Sequence, residues 1–105
     1  LYVEDFARGL MAVTERYAQC DPVNVGANEE VSIKTLVETI VALAGTDVAI
    51  QYDTTKPAGQ PRRCCDTTKL TAAVGFAPAT SLRDGLRRTI EWYRANPLTD
   101  DPRPV

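Results

Sequence analysis

Asp53-Thr54-Thr55-Lys56-Pro57-Ala58-Gly59-Gln60-Pro61-Arg62-Arg63-Cys64-Cys65-Asp66 is the stretch on which the reading of this chain turns. Lys56, Arg62 and Arg63 crowd into one short loop of a protein whose formal charge is −2. Pro57 and Pro61 exclude regular helix or a central strand there, since each fixes φ and removes an N–H donor. Arg offers a planar fork that matches phosphate oxygens and Lys adds a point charge, so the cluster suits a diphosphate. Gly59 would let backbone amides approach such an anion closely. On composition alone, however, a solvated basic turn is the better reading of the cluster.

Outward from the loop, the periodicity changes. Before it, Val48, Ile50 and Tyr52 alternate with Ala49 and Gln51, the period of a half-buried strand. Earlier still, Ser32 is a helix N-cap, followed by an apolar stripe at Ile33, Leu36, Val37, Ile40, Val41 and Ala44 that Gly45 stops. Val23-Asn24-Val25 ending at Gly26 reads as a short buried strand. Leu1-Tyr2-Val3 reads as a strand remnant, and Phe6, Leu10, Val13 and Tyr17 predict a helix over 5–18.

Beyond the loop, 62–65 can be extended, and Asp66 can cap a short helix that Gly75 terminates. Cys64 and Cys65 read as small packing residues. The last helix starts at Ser81, with Asp84 completing a capping-box variant. Gly85 within it costs about 1 kcal/mol against Ala and so marks a close packing contact. On its other face Arg87 and Glu91 form an i, i+4 surface pair, while Trp92 and Tyr93 suit core or interdomain packing better than a stacking platform. These elements give an α/β fold of several helices with short strands, one domain over 1–95 and a proline-rich disordered tail over 96–105.

Composition excludes several functions. A pI near 5.0 argues against a nucleic-acid or acidic-membrane binder, and no apolar run approaches the roughly 20 residues of a membrane span. With no histidine and no C-x-x-C spacing, no metal site is expected. Three cysteines leave one over in any pairing, which fits a reducing, cytoplasmic setting. No residue set supplies an activated nucleophile or a general base, so no catalytic residue is assigned. Leu1 opens the chain with no leader after it, and a start without Met reads as a fragment.

Four segments in order carry a family resemblance: Tyr2-Val3-Glu4-Asp5-Phe6-Ala7; Asn24-Val25-Gly26 with Val31-Ser32-Ile33; the cationic loop; and Gly75-Phe76-x-Pro78 with Ser81-Leu82-x-x-Gly85-Leu86 and Trp92-Tyr93. The chain resembles the small C-terminal substrate-binding domain of the extended short-chain dehydrogenase/reductases that act on nucleotide sugars, the NAD-dependent epimerase/dehydratase family. Within that family, Tyr52 to Arg63 is similar to the GDP-L-fucose synthases, although these usually carry an acid where this chain has Ala58.

The resemblance implies that the Rossmann half, its NADP loop and the Ser/Tyr/Lys catalytic set lie outside this chain. It makes Lys56, Gly59, Gln60, Arg62 and Arg63 the expected substrate-binding residues, with a nucleotide-diphosphate sugar, the N-terminal dinucleotide-binding domain and a second copy of the protein as partners. No cofactor is expected on the chain itself. Asp5 matches an acidic family position and is read as fixing local structure. Val23 to Gly26 would normally join a larger sheet, which leaves an unpaired edge that favours dimerisation or strand swapping.

Overall fold

A computed structural model describes residues 1–57, 59–60 and 62–96. Four helices form in these residues: α1 (Val3–Arg16), α2 (Ile33–Ala44), α3 (Thr68–Val74) and α4 (Leu82–Ala95). α1 packs on α3 and α2 packs on α4.

Local chemistry sets most helix ends. The Ser32 hydroxyl accepts from the Thr35 N–H at 3.0 Å, and the Ser81 hydroxyl accepts from the Asp84 N–H at 3.1 Å, each satisfying a donor that the first turn leaves unpaired. Gly45 and Gly75 leave their helices at φ 65°, a left-handed conformation that costs glycine little. α1 begins earlier than its periodicity predicts, because Val3 joins the first turn behind an extended Tyr2. It ends at Arg16 because Tyr17 leaves the helical region and sends its hydroxyl to Asp21 at 3.1 Å. α3 is capped one place off expectation: its boundary residue is Thr67, which makes no side-chain cap, while Asp66 Oδ1 accepts from the Thr68 N–H at 2.9 Å.

The expected short strands do not form among the described residues. The residues at 23–26, 48–52 and 62–65 are non-helical, but a strand is defined by the backbone hydrogen bonds of a neighbour. No described segment supplies that ladder, so the architecture is four helices joined by irregular chain. Of the tail expected over 96–105, residues 97–105 lie outside the described residues, whereas Asn96 caps α4 through its N–H to the Trp92 carbonyl at 2.9 Å.

The core is small. Ala12, Leu70 and Val74 are its buried members, with Val13, Tyr17, Val23, Val25, Ala73 and Phe76 packed around them, so it sits between α1 and α3. α2 has no buried residue, and Ile33, Val48, Tyr52 and Trp92 are all more than half exposed. Among the described residues Trp92 and Tyr93, both exposed, therefore lie outside that core. Cys64 and Cys65 are also exposed and join no core, although Cys65 lies against Gly26.

Polar contacts join the pieces. Arg94 donates to the Ala44 carbonyl at the end of α2, and Arg16 Nη1 donates to the Val74 carbonyl at 3.0 Å. Gly85 is buried under Tyr2, whose Cβ would lie 3.3 Å from a methyl group added there, and the Arg88 guanidinium sits 5.5 Å from the centre of the Tyr2 ring. Arg87 and Glu91 meet at 3.0 Å on the wet face of α4.

Candidate functional site

The loop enters through a small turn. Asp53 Oδ1 accepts from both the Thr55 N–H at 2.9 Å and the Thr55 hydroxyl at 2.6 Å, and these bonds hold the Asp53 carboxyl below its usual range. Lys56 follows at an exposed bend, and Gly59 takes φ 64° with open space around it, a conformation that glycine adopts without strain. Gln60 is exposed. Ala58 and Pro61 lie outside the described residues.

The cations at the loop's two ends are not equivalent. Arg62 Nε donates to Glu30 Oε1 at 2.6 Å and Arg62 Nη2 donates to Glu30 Oε2 at 2.8 Å, a two-pronged ion pair. Donating these hydrogen bonds to Glu30 pushes the guanidinium's pKa above its ordinary value. Among the described residues, Lys56 and Arg63 take part in no ion pair. Structure thus divides a cluster that looks uniform in sequence: Arg62 is already matched to a carboxylate, while Lys56 and Arg63 keep uncompensated charge.

Glu30 is the partner that the sequence reading missed. It stands 32 residues from Arg62, and no local pattern connects them. The available signal was the pair of expected strands: had 23–26 and 62–65 been placed side by side and antiparallel, an acid at 30 would have faced the loop's C-terminal base.

Elsewhere in the chain a second kind of carboxylate site forms. Asp5 is fully buried, accepting from the Thr80 N–H at 2.9 Å and from Arg8. Burial raises its pKa, but the Thr80 and Arg8 hydrogen bonds outweigh that effect and hold it at about 2. Asp5 therefore ties the first turn of α1 to the chain entering α4, the structural role expected of it.

Two cavities are lined by described residues outside the loop. A cavity of about 460 Å³ is lined by Asn28, Glu29, Thr67, Thr71 and the chain from Ala77 to Ser81, and a neighbouring one of about 320 Å³ opens between Tyr2, Ala27, Glu29, Ser81 and Gly85. Asn28, in the wall of the larger one, has φ 49°, a left-handed conformation that Asn tolerates better than most residues. Among the described residues no group of His, Cys, Asp and Glu could hold a metal ion, and no helix is long and apolar enough to cross a membrane.

No protein-family model matches the chain. No solved structure matches it either. Curated proteins do. GDP-L-fucose synthase 1 of Arabidopsis thaliana is 40% identical over 96 residues, which is 91% of this chain and 29% of that protein. A GDP-L-fucose synthase of Sinorhizobium fredii is 32% identical over 96 residues, covering 91% of this chain and 30% of the relative. The dTDP-glucose 4,6-dehydratase of Streptomyces griseus is 35% identical over 94 residues, or 89% of this chain and 29% of the relative. The chain thus spans under a third of the length of these relatives. Over about nine tenths of its own length it is similar to one stretch of the GDP-L-fucose synthases and of this dTDP-glucose 4,6-dehydratase.

Proposed function

We propose that this chain is the C-terminal substrate-binding part of an NAD(P)-dependent nucleotide-sugar epimerase/reductase of the GDP-L-fucose synthase kind, cytoplasmic and dimeric in its intact form. The observation that carries this reading is the 40% identity to the Arabidopsis synthase across 91% of the chain. The loop gives it chemistry. Lys56 and Arg63 hold the two phosphates of the nucleotide sugar, with Gly59 and Gln60 at the crown and Arg62 at the base. Free, exposed Cys20, Cys64 and Cys65 suit a reducing compartment.

The cofactor belongs elsewhere in the proposed enzyme. Dinucleotide binding needs closely spaced glycines between a strand and a helix, and the six glycines here form no such pattern. The chain's own residues do not fit NADP, and no step is routed through it. Their part is to bind the diphosphate and orient the sugar toward an N-terminal domain that supplies cofactor and catalytic groups.

Calorimetry of the 105-residue chain against GDP, UDP and dTDP tests the binding half of this reading. A GDP preference is expected, and Arg63→Ala should weaken binding roughly tenfold, the scale of a lost charge-assisted contact. Equal affinities in the wild type and the variant, or no binding to any of the three, would remove the loop from the site. The reaction is tested on the intact enzyme with GDP-4-keto-6-deoxymannose and NADPH, where consumption of NADPH is expected. A dTDP preference would instead support the dehydratase-like reading that the Streptomyces relative favours.

A further inference from the structure

The two segments expected as strands do lie together, joined by side chains instead of a backbone ladder. Lys69 pairs with Asp21 and donates to the Pro22 carbonyl at 2.7 Å. The Asn24 amide donates to the Asp66 carbonyl at 3.2 Å. Gly26 presses so closely on Cys65 that an added methyl group would lie 2.9 Å from its Cβ. Glu30 then grips Arg62. As one segment advances through 21, 24, 26 and 30 the other retreats through 69, 66, 65 and 62, which is the order of an antiparallel zipper. The Glu30–Arg62 pair is its last tooth, where the chain passes into the cationic loop.

We propose that Glu30 is a positioning residue for that loop: it binds Arg62 as an anchor at the loop's base, so that Arg62 tethers the loop while Arg63, next in sequence, carries the charge offered to the diphosphate. This rests on reading the loop as a nucleoside-diphosphate site. Two features favour an anchor over a ligand. Both Glu30 oxygens are engaged, each by a different nitrogen, so the Nε/Nη2 edge of Arg62 is closed to a phosphate unless two charge-assisted hydrogen bonds break, and only its outer Nη1 side stays open. The pair also continues a zipper whose other contacts join one stretch of the chain to another. Exposed ion pairs are individually weak, but a two-pronged pair with fixed geometry is the exception that counts.

The rival arrangement, in which Glu30 is a counter-ion that substrate displaces from Arg62, predicts the opposite sign. Glu30→Gln would free Arg62 and tighten binding if Arg62 were a ligand, whereas it loosens the loop and weakens binding if Arg62 is an anchor. The experiment titrates GDP into the wild-type chain, Glu30→Gln, Arg62→Glu and the charge exchange Glu30→Arg/Arg62→Glu, at about 0.15 M salt so that distant charges are screened. In parallel, mass spectrometry follows alkylation of Cys64 and Cys65 by iodoacetamide, a readout of how firmly the segment is held that needs no nucleotide.

Each single variant is expected to weaken GDP binding roughly two- to fivefold, in keeping with an exposed pair, and to speed alkylation at Cys64. The exchange, which keeps the net charge, should restore both. Tighter binding by Glu30→Gln overturns the proposal, as does an exchange variant that recovers slow alkylation but binds no better than Arg62→Glu. If wild type binds no GDP, the diphosphate reading fails by itself and the alkylation series still decides the anchor: equal rates in all four proteins would overturn it.

Discussion

Asp5 has no exposed surface, whereas every other described acid stands in water. A carboxylate without solvent is stable only if protein groups replace its hydration, and Thr80 and Arg8 do so here. Its pKa, held at about 2 against about 3.9 for a free Asp, makes folding depend on pH. Because the folded value is the lower one, the stabilisation is complete above the unfolded pKa and drains away as pH falls from about 5 through 2. Asp5→Asn should therefore lower the melting temperature at pH 7, and the gap to wild type should close as the pH approaches 2. Thermal unfolding by circular dichroism at pH 2 to 7 measures this, and a gap that does not change with pH would remove the charge from the account. The same logic places Arg62: its match to Glu30 makes it poor material for a phosphate ligand, while Arg63 beside it stays available.

At the scale of elements, the helices were legible and the strands were not. Ser32, Gly45, Gly75 and Ser81 mark helix ends through bonds made within a few residues, so their sequence signals survive in the fold. Alternation at Val48, Ile50 and Tyr52 signals only a capacity to pair, and no described segment pairs with it. The cation cluster was visible for the same local reason as the helix caps, but Glu30, 32 residues away, was not. Glycines inside helices sort in the same way. A methyl group at Gly9 would stand 2.8 Å from Val25 Cγ1 and 3.2 Å from the Phe76 ring, whereas at Gly85 its nearest neighbours are Tyr2 atoms at 3.3 Å. Valine is stiff and cannot step aside easily. Gly9→Ala should thus cost about 1–2 kcal/mol even after the helix-propensity gain of about 1, and Gly85→Ala should stay within about 0.5 kcal/mol of wild type. Urea unfolding of both variants is the check, and a neutral Gly9→Ala would mean that α1 is free to move off Val25.

At the scale of the whole molecule, surface exceeds what so short a chain can leave bare. Its accessible area is 8535 Å², whereas a compact protein of 11.5 kDa has about 5,800 Å². Large apolar side chains stand in that surface: Val3, Met11, Ile33 and Trp92 are each more than 60% exposed, while the buried apolar residues among those described are Ala12, Leu70 and Val74. Patches of this kind on a protein mark surfaces that something else covers. In the proposed enzyme the dinucleotide-binding domain and a second copy share that task; in the 105-residue chain by itself only another copy is present. The backbone at 23–26, with no ladder partner among the described residues, adds unpaired donors and acceptors to the attraction. Light scattering should accordingly give a mass near twice 11.5 kDa at tens of micromolar, falling toward a single chain on dilution as mass action requires. Because apolar burial drives this association, raising salt to about 1 M should leave it intact, whereas contacts made by surface ion pairs would weaken. A single-chain mass at every concentration would show that the exposed apolar surface is too scattered to bind a second copy, and would leave the rest of the enzyme as its only cover.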